Sequence, residues 1–384
     1  MLGATALARF ARLSVLGATA LARFAGLSVL GATALVAPAH AQNTVEGAFL
    51  YYADTDNVTV VSPTIAAQYA RGPVRAGVRL AVDVISAASV DLVTAASPTG
   101  FDEERREGEL NAGYELARGR WVEASWATSI EPDFVTQRGG LSFSEEVLDR
   151  RLTLSLAYAH SASEFGRTLD DSLNLERSGD ALDLGASGVL SGRLVLDWLY
   201  GVDLTEGALE NPYRMVRLFS PGADSHHTAV GEAVPQRRIH QTMTVRLRAR
   251  PATSLYTQGT YRLFVDTWGV LAHTVLVRAT RGFFGELVLL SVEGRGHLQD
   301  AAGFYRARYE TFPEAPRLRT ADKELGPLYT ARGGLHVEYS PNVRFAEALR
   351  FGLGADLLYM RYLDYAYLDA RTARLLVADL TWEL

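Results

Sequence analysis

The stretch Ile239-His240-Gln241-Thr242-Met243-Thr244-Val245-Arg246-Leu247-Arg248 places apolar or uncharged side chains at its odd positions and polar or cationic ones at its even positions. Successive side chains of a β-strand point to opposite faces, so this segment reads as a strand with one apolar face and one charged face. The same period of two recurs along the chain. Val74, Ala76, Val78, Leu80 and Val82 alternate with Arg75, Gly77, Arg79, Ala81 and Asp83. Leu110, Ala112, Tyr114 and Leu116 interleave with Glu109, Asn111, Gly113 and Glu115; Leu152, Leu154, Leu156 and Tyr158 with Arg151, Thr153, Ser155 and Ala157. Leu194, Leu196, Trp198, Tyr200 and Val202 do so with Arg193, Val195, Asp197, Leu199 and Gly201.

Alternation alone fits a soluble sandwich as well as a membrane barrel. Strand length and connection length separate the two, because membrane strands need about 9–11 residues and join by short turns at one end and longer loops at the other. Strands are expected to begin near residues 46, 58, 74, 106, 121, 134, 150, 181, 193, 237, 253, 270, 284, 328, 345 and 371. Even-numbered connections carry turn chemistry, as in Arg71-Gly72-Pro73, Arg118-Gly119-Arg120, Ser191-Gly192-Arg193, Pro251-Ala252-Thr253 and Pro341-Asn342. Odd-numbered connections include four long ones, at about 85–105, 161–180, 205–236 and 297–327. The expectation is an all-β, transmembrane, antiparallel up-and-down β-barrel of about 16 strands, with 14 as the alternative if one hairpin merges. Both termini and the tight turns would then be periplasmic. The last strand alternates Leu376, Ala378, Leu380, Trp382 and Leu384 with Asp379, Thr381 and Glu383, a pattern similar to the assembly signal of bacterial outer-membrane proteins, with Leu384 where that signal usually has Phe.

The N-terminus reads as an address. Residues 2–15 recur at 16–29 with only Arg12 replaced, by Gly26, and the repeat ends in Ala39-His40-Ala41, the Ala-x-Ala pattern of signal peptidase. Residues 1–41 are therefore expected to be a signal peptide cleaved after Ala41, and 42–384 a single barrel domain. The apolar run from Phe24 to Ala37 is shorter than the roughly 20 residues a helical span needs. No cysteine is present, which excludes a lipid-anchoring cysteine, thiolate catalysis, zinc–thiolate sites and disulfides. The net charge of −6, more acidic still without Arg9, Arg12 and Arg23, argues against nucleic acid as a partner.

Three stretches carry a resemblance. Asp83-Val84-Ile85-Ser86-Ala87-Ala88-Ser89-Val90-Asp91, then Phe101-Asp102-Glu103-Glu104-Arg105, and further on Ser129-Ile130-Glu131-Pro132-Asp133-Phe134, resemble the bacterial family known as domain of unknown function 3570. The resemblance implies an exported outer-membrane barrel, with Asp83, Ser86, Ser89, Asp91, Asp102 and Arg105 as its family-like segment, and it implies no chemistry.

Among the residues themselves, the acids Asp83, Asp91, Asp102, Glu103 and Glu104 could ligate Ca²⁺ through oxygen, but they lack the close regular spacing of an EF-hand and have Arg105 and Arg106 beside them. A loop network in which Ser86 and Ser89 turn the backbone is the plainer reading. Ser225, His226 and His227 invite a hydrolase or metal reading, but lie in a loop flanked by Gly222 and Gly231 with no orienting acid in the pattern. No cofactor motif occurs. The facing pattern sends Arg238, Arg246, Arg248, Arg262, Arg278 and Arg332 to the interior together with Asp197, Asp203, Glu338, Asp356 and Asp379. Such mixed charges either select small polar solutes in a pore or pair with one another and fill a narrow lumen. The sequence thus points to a non-enzymatic barrel of the bacterial outer membrane, porin-like and passing small hydrophilic solutes, with a closed barrel acting as a structural or surface-interaction scaffold through its long loops as the alternative. Its expected partners are membrane lipid and, during biogenesis, signal peptidase and the barrel-assembly machinery.

Overall fold

The structure, a computed structural model, describes residues 43–87, 101–167, 170–341 and 349–384, with side chains throughout except at 86–87, 101–103 and 170–171. The expected leader lies outside the described residues. Sixteen antiparallel strands close into one barrel. They are β1 (Thr44–Asp54), β2 (Val58–Arg71), β3 (Val74–Ala87), β4 (Phe101–Ala117), β5 (Arg120–Glu131), β6 (Phe134–Val147), β7 (Leu152–Arg167), β8 (Asp170–Ser191) and β9 (Leu194–Gly207). After an excursion containing the short hairpin β10 (Met215–Leu218) and β11 (Thr228–Gly231), the wall resumes with β12 (Arg237–Ala252), β13 (Leu255–Asp266), β14 (Leu271–Phe283), β15 (Val288–Gln299), β16 (Leu328–Tyr339), β17 (Leu349–Tyr362) and β18 (Ala370–Glu383). Each wall strand pairs with its sequence neighbour, and β18 closes on β1 in continuous register from Thr44↔Glu383 to Asp54↔Ala373. Closure leaves no sheet edge with unpaired backbone groups.

One end mixes the short turns β1–β2 and β5–β6 with the long connections, whereas at the end where β1 begins and β18 ends the turns β2–β3, β4–β5, β6–β7, β8–β9, β12–β13 and β14–β15 are all short. Gly72 and Gly119 adopt φ of 59° and 78° in two of these turns, the left-handed conformation that short hairpins require and that costs glycine nothing.

The alternation decides which face each side chain takes. Outward residues form a continuous apolar belt that no other part of the chain covers: Leu353 is 66% exposed, Leu141 61% and Val277 59%. The belt has an aromatic rim at each end. Toward the tight turns stand Tyr114, Phe143, Phe283, Tyr339, Phe351 and Trp382. At the other margin, outward tyrosines meet polar neighbours: Tyr158 Oη donates to Asp180 at 2.6 Å and Tyr200 Oη to Gln241 at 2.7 Å, while Tyr261 Oη lies 2.8 Å from His273 Nδ1.

One expectation is corrected here. Residues 161–180 do not form a long loop; β7 and β8 run through them and pair as far as Arg167↔Asp170. Beyond the Tyr158 rim the outer face of this hairpin turns polar, with Glu164, Glu176 and Ser178, while Phe165 and Leu175 face inward, so the apolar side that marks a membrane strand is reversed there. The first long connection is likewise shorter than expected, because β3 extends to Ala87 and β4 starts at Phe101.

The two remaining long connections, 208–236 and 300–327, fold together into a cap over the far mouth. The β10–β11 hairpin pairs within the first, and bridges Leu218↔Tyr309 and Ala233↔Arg319 stitch it to the second. Val216, Leu218 and Tyr309 form a small apolar core, with Val230 and Phe312 packed on it. A second cluster joins Ala302, Tyr305 and Val234 of the cap to Phe264 and Ala272 on the inner wall. Polar ties fasten the rim: Tyr213 Oη donates to Asp133 in the β5–β6 turn, and the Tyr305 hydroxyl donates to the Asp364 carbonyl. Glu232, buried between the two segments, accepts from Thr320 and from the Asn211 N–H and pairs with Arg214 at 3.5 Å. Burial pushes its carboxyl above the ordinary value, against the opposing pull of Arg214 and these hydrogen bonds.

The cap's one-turn 3-10 helix, Lys323–Leu325, is held by charge. Lys323 Nζ lies 3.3 Å from Asp56 Oδ2 with both side chains buried, and Arg371 reaches both Glu324 at 3.4 Å and Asp54 at 3.5 Å. Removing one member of a buried pair costs roughly 3–5 kcal/mol because the other charge stays behind. Lys323→Met is expected to loosen the cap, so that limited proteolysis cuts within 300–327 faster than in the wild type. The double variant K323M/D56N, which removes both charges, should recover much of the protection; equal cleavage of all three proteins would show that this pair does not hold the cap.

Candidate functional site

The candidate site is the inner surface of the barrel. Register fixes the facing, since residues paired across neighbouring strands share a face. On β12 to β18 the inward set includes Arg238, Arg246, Arg248, Arg262, Arg278, Arg332, Glu338, Asp356 and Asp379, and on β9 Asp197 and Asp203. The structure brings these residues to one interior. It also adds Glu293, Arg295 and His297 from β15, which sequence reasoning passed over although they alternate with Leu290, Val292, Gly294 and Gly296 just as the recognised charges do.

These arginines fall into two groups. In the first, buried guanidiniums are matched by carboxylates. Arg248 donates to Asp197 at 2.8 Å, Arg278 to Glu293, and Arg332 stands 3.0 Å from Asp356 and 3.7 Å from the other oxygen of Glu293. His336 closes the row at 3.3 Å from Asp356. Room for this row comes from Gly334, directly across from Asp356, where a Cβ would overlap the carboxylate. Toward the cap, Arg238 pairs with Asp266 and lies 4.4 Å over Trp268, and His240 meets Asp203 at 2.8 Å. In the second group, Arg246, Arg262 and Arg295 make no ion pair among the described residues, and the Nε of Arg246 is buried without a hydrogen-bond partner.

The opposite side of the interior has the opposite sign. Glu107 and Glu109 on β4 and Glu123 and Glu131 on β5 face inward, outnumbering Arg75, Arg79 and Arg105, which they hold at 2.8 Å (Arg75–Glu123) and 3.5–3.9 Å. In the closed strand order, β4 and β5 stand half-way round the barrel from β14 and β15. The heights agree as well. Arg262 and Arg295 lie seven residues in from Leu255 and Val288, the tight-turn ends of their strands, and Glu109 lies eight in from Ala117. A carboxylate wall therefore faces a guanidinium wall across the middle of the lumen, an arrangement that sets a transverse field.

The remaining sequence candidates are placed less centrally. Asp83 is an inward strand residue, not a loop acid, and Arg105 Nε donates to its Oδ2 at 2.9 Å. Ser86 does not turn the backbone; it sits within β3 opposite Asp102 of β4. Ser89 and Asp91 lie outside the described residues, as does the side chain of Asp102. Ser225, His226 and His227 are exposed on the cap, where His227 stacks on Phe312 at 4.3 Å and His226 meets the edge of Phe219 at 6.1 Å. Neither imidazole has a carboxylate partner among the described residues, so no base–acid pair is assembled there. Among those residues no group of three or more His, Asp or Glu has metal-binding geometry.

Comparison with known proteins agrees with the barrel. A structure described as a bacterial polysaccharide outer membrane secretin superimposes with a TM-score of 0.53 at 9% identity, covering 90% of this chain and 99% of that one. A BenF-like porin from Pseudomonas fluorescens Pf-5 gives 0.46 at 10% identity over 90% of this chain and 99% of its own. OccK2 (OpdF) of Pseudomonas aeruginosa gives 0.44 at 10% identity over 90% and 98%. At 9% identity the first of these shows a likeness of fold alone. No curated protein matches the chain in sequence. The family model described as "Protein of unknown function (DUF3570)" matches residues 162–364, more than half of the sequence, and the chain therefore belongs to the DUF3570 family.

Proposed function

We propose that the protein is a non-enzymatic channel of the bacterial outer membrane that passes small hydrophilic solutes. The observation that carries this reading is the division of one closed sheet into an uncovered apolar belt outside and two walls of opposite charge inside. An apolar surface of that extent has no stable place in water, whereas in a bilayer it is the solvated face. Charged side chains turned toward the interior are correspondingly of little use to a barrel that serves only to be buried in lipid. In this reading residues 1–41 are the export leader, cleaved after Ala41, the tight turns and both strand termini lie in the periplasm, and the cap faces outward.

The second reading, a closed barrel that acts as a scaffold through its loops, is favoured by one specific feature. The cap has its own core and a buried Lys323–Asp56 pair, so it is a folded surface rather than a set of loose loops.

The membrane premise has its own test. Leu353→Arg in the belt should destabilise the barrel folded into vesicles by about 2–4 kcal/mol, while Ala127→Arg, which points into the lumen between Glu109 and Arg138, should cost little. Equal costs at the two positions would remove the lipid-facing assignment.

Conductance decides between channel and scaffold. Purified protein in planar bilayers should give discrete ion currents, and Lys323→Met, by loosening the cap, should raise the open fraction. Silence from both the wild type and the K323M variant would leave the scaffold as the function.

A further inference from the structure

Three interior arginines stand out because none of them has a carboxylate within ion-pair distance among the described residues, although Asp197 across from Arg246 and Asp203 near Arg262 act on them from farther off. Arg246, Arg262 and Arg295 project from β12, β13 and β15 into the middle of the lumen and make no ion pair among the described residues. The paired arginines show that the same wall readily supplies carboxylates where a structural charge is to be neutralised. Glu293 alone serves both Arg278 and Arg332, yet Arg295, two positions along on the same strand and the same face, is given none. The charges acting on Arg295 are those of Arg332 and Arg262, both positive, and of the already shared Glu293.

Register brings these groups within reach of one small ligand. Arg246 and Arg295 lie in one register row, through Thr260 and Leu276, and Arg262 lies in the adjacent row with Thr274 and His297. With strands about 4.8 Å apart and about 3.4 Å per residue along each, the Cα atoms of Arg246 and Arg262 are about 8 Å apart and those of Arg262 and Arg295 about 12 Å, distances that two long guanidinium side chains can close from either side. Thr274 Oγ1 and His297 Nδ1 are bonded to each other at 2.8 Å between them, which fixes the imidazole on the floor of the cluster.

We infer that Arg246, Arg262 and Arg295 form a binding station for small oxyanions, carboxylates or phosphates, on the lumen wall, so that the channel prefers anionic solutes. The inference rests on the channel reading for its role in transport, but the station itself can be tested without it. Guanidinium forks match the two oxygens of a carboxylate or phosphate, and the neighbouring Thr260 hydroxyl, which accepts from Gln258, keeps its own proton to donate. The carboxylate wall on β4 and β5 repels the same anion and presses it against this side, which makes the station a one-sided track rather than a central plug.

Two measurements on detergent-folded and bilayer-inserted protein test it. Inorganic phosphate and succinate, titrated separately, should each raise the thermal unfolding temperature of the wild type, and the stronger effect identifies which oxyanion the station suits. The double variant R262Q/R295Q should lose about tenfold or more in apparent affinity for the preferred anion and, free of mutual repulsion, should be at least as stable as the wild type without it. R262K/R295K should keep part of the affinity, since charge survives and fork geometry does not. In bilayers the same anion should reduce chloride current through the wild type and not through R262Q/R295Q, whose reversal potential in a KCl gradient should shift toward cation preference. Absence of an anion response in the wild type, or an unchanged response in R262Q/R295Q, overturns the station whether or not the protein conducts. Anion binding that depends on these arginines in a protein that passes no current would uphold the station and reject the channel.

Discussion

Everything in this molecule depends on closure of the sheet. A strand in a low-dielectric surrounding must satisfy each N–H and C=O by pairing, and an open sheet leaves two edges unsatisfied at a cost of several kcal/mol per group. The unbroken register between β1 and β18 removes both edges. It also fixes the inside and outside of every residue at once, because a slip of one position anywhere would turn a whole strand's apolar set inward and its charges outward. The belt and the charged interior are therefore one consequence of one constraint.

Closure sets the terms on which interior charge is tolerated. Two guanidiniums about 10 Å apart at an effective dielectric of about 20 repel by roughly 1.7 kcal/mol, and burial adds a desolvation cost to each. The wall offsets this in the row from Arg278 through Glu293 and Arg332 to Asp356, where each charge meets one of the other sign and Gly334 makes the space. The same accounting leaves Arg246, Arg262 and Arg295 with a positive surplus, and β4 and β5 with a negative one. A barrel shaped only for stability would have moved a few of those glutamates across the lumen. Their segregation is the reason to read the interior as a functional surface.

The fold was legible because alternation, turn residues and the parity of connection lengths are all local signals that closure must obey. Strand starts at 58, 74, 121, 134, 193 and 237 agree with the structure to within about a residue, each following a turn that Gly, Pro or a charged pair marks. Legibility failed where the surroundings change along a strand. Residues 161–180 continue β7 and β8 past the Tyr158 rim, and there an outer face meets water instead of lipid, so Glu164 and Glu176 take the positions that Leu154 and Leu184 hold lower down. The period of two persists but its sense is reversed, with Phe165 and Leu175 on the inner face. Glu293 and Arg295 were legible by the same alternation as Arg246 and Arg248, and went unassigned only because glycine at 294 and 296 blurs the apolar side of the strand. The cap was not legible at all. Its bridges join residues such as Leu218 and Tyr309, and its Lys323–Asp56 pair spans most of the chain, so no periodic pattern within either segment announces them.

The cap and the apolar part of the interior together confine where water can run. On the inner faces of β17, β18, β1 and β2, Leu358, Met360, Ala373, Leu375, Tyr52 and Val60 pack into a cluster with almost no accessible surface. Side chains that water does not touch cannot line an aqueous path. The same sector carries Asp54 and Arg371, through which Glu324 of the cap is moored, so the dry side of the barrel adds a charged anchor to the cap's ties at Asp133 and on Phe264 and Ala272. At the height of this cluster what remains for solvent is the arc from β3 round to β16, which bears both charged walls, while nearer the tight turns Asp379 brings charge back to the inner face of β18. In the channel reading an ion crossing at this height is kept to the part of the lumen where the transverse field acts, and Trp268, which packs against Phe304 of the cap and lies under Arg238, borders that path.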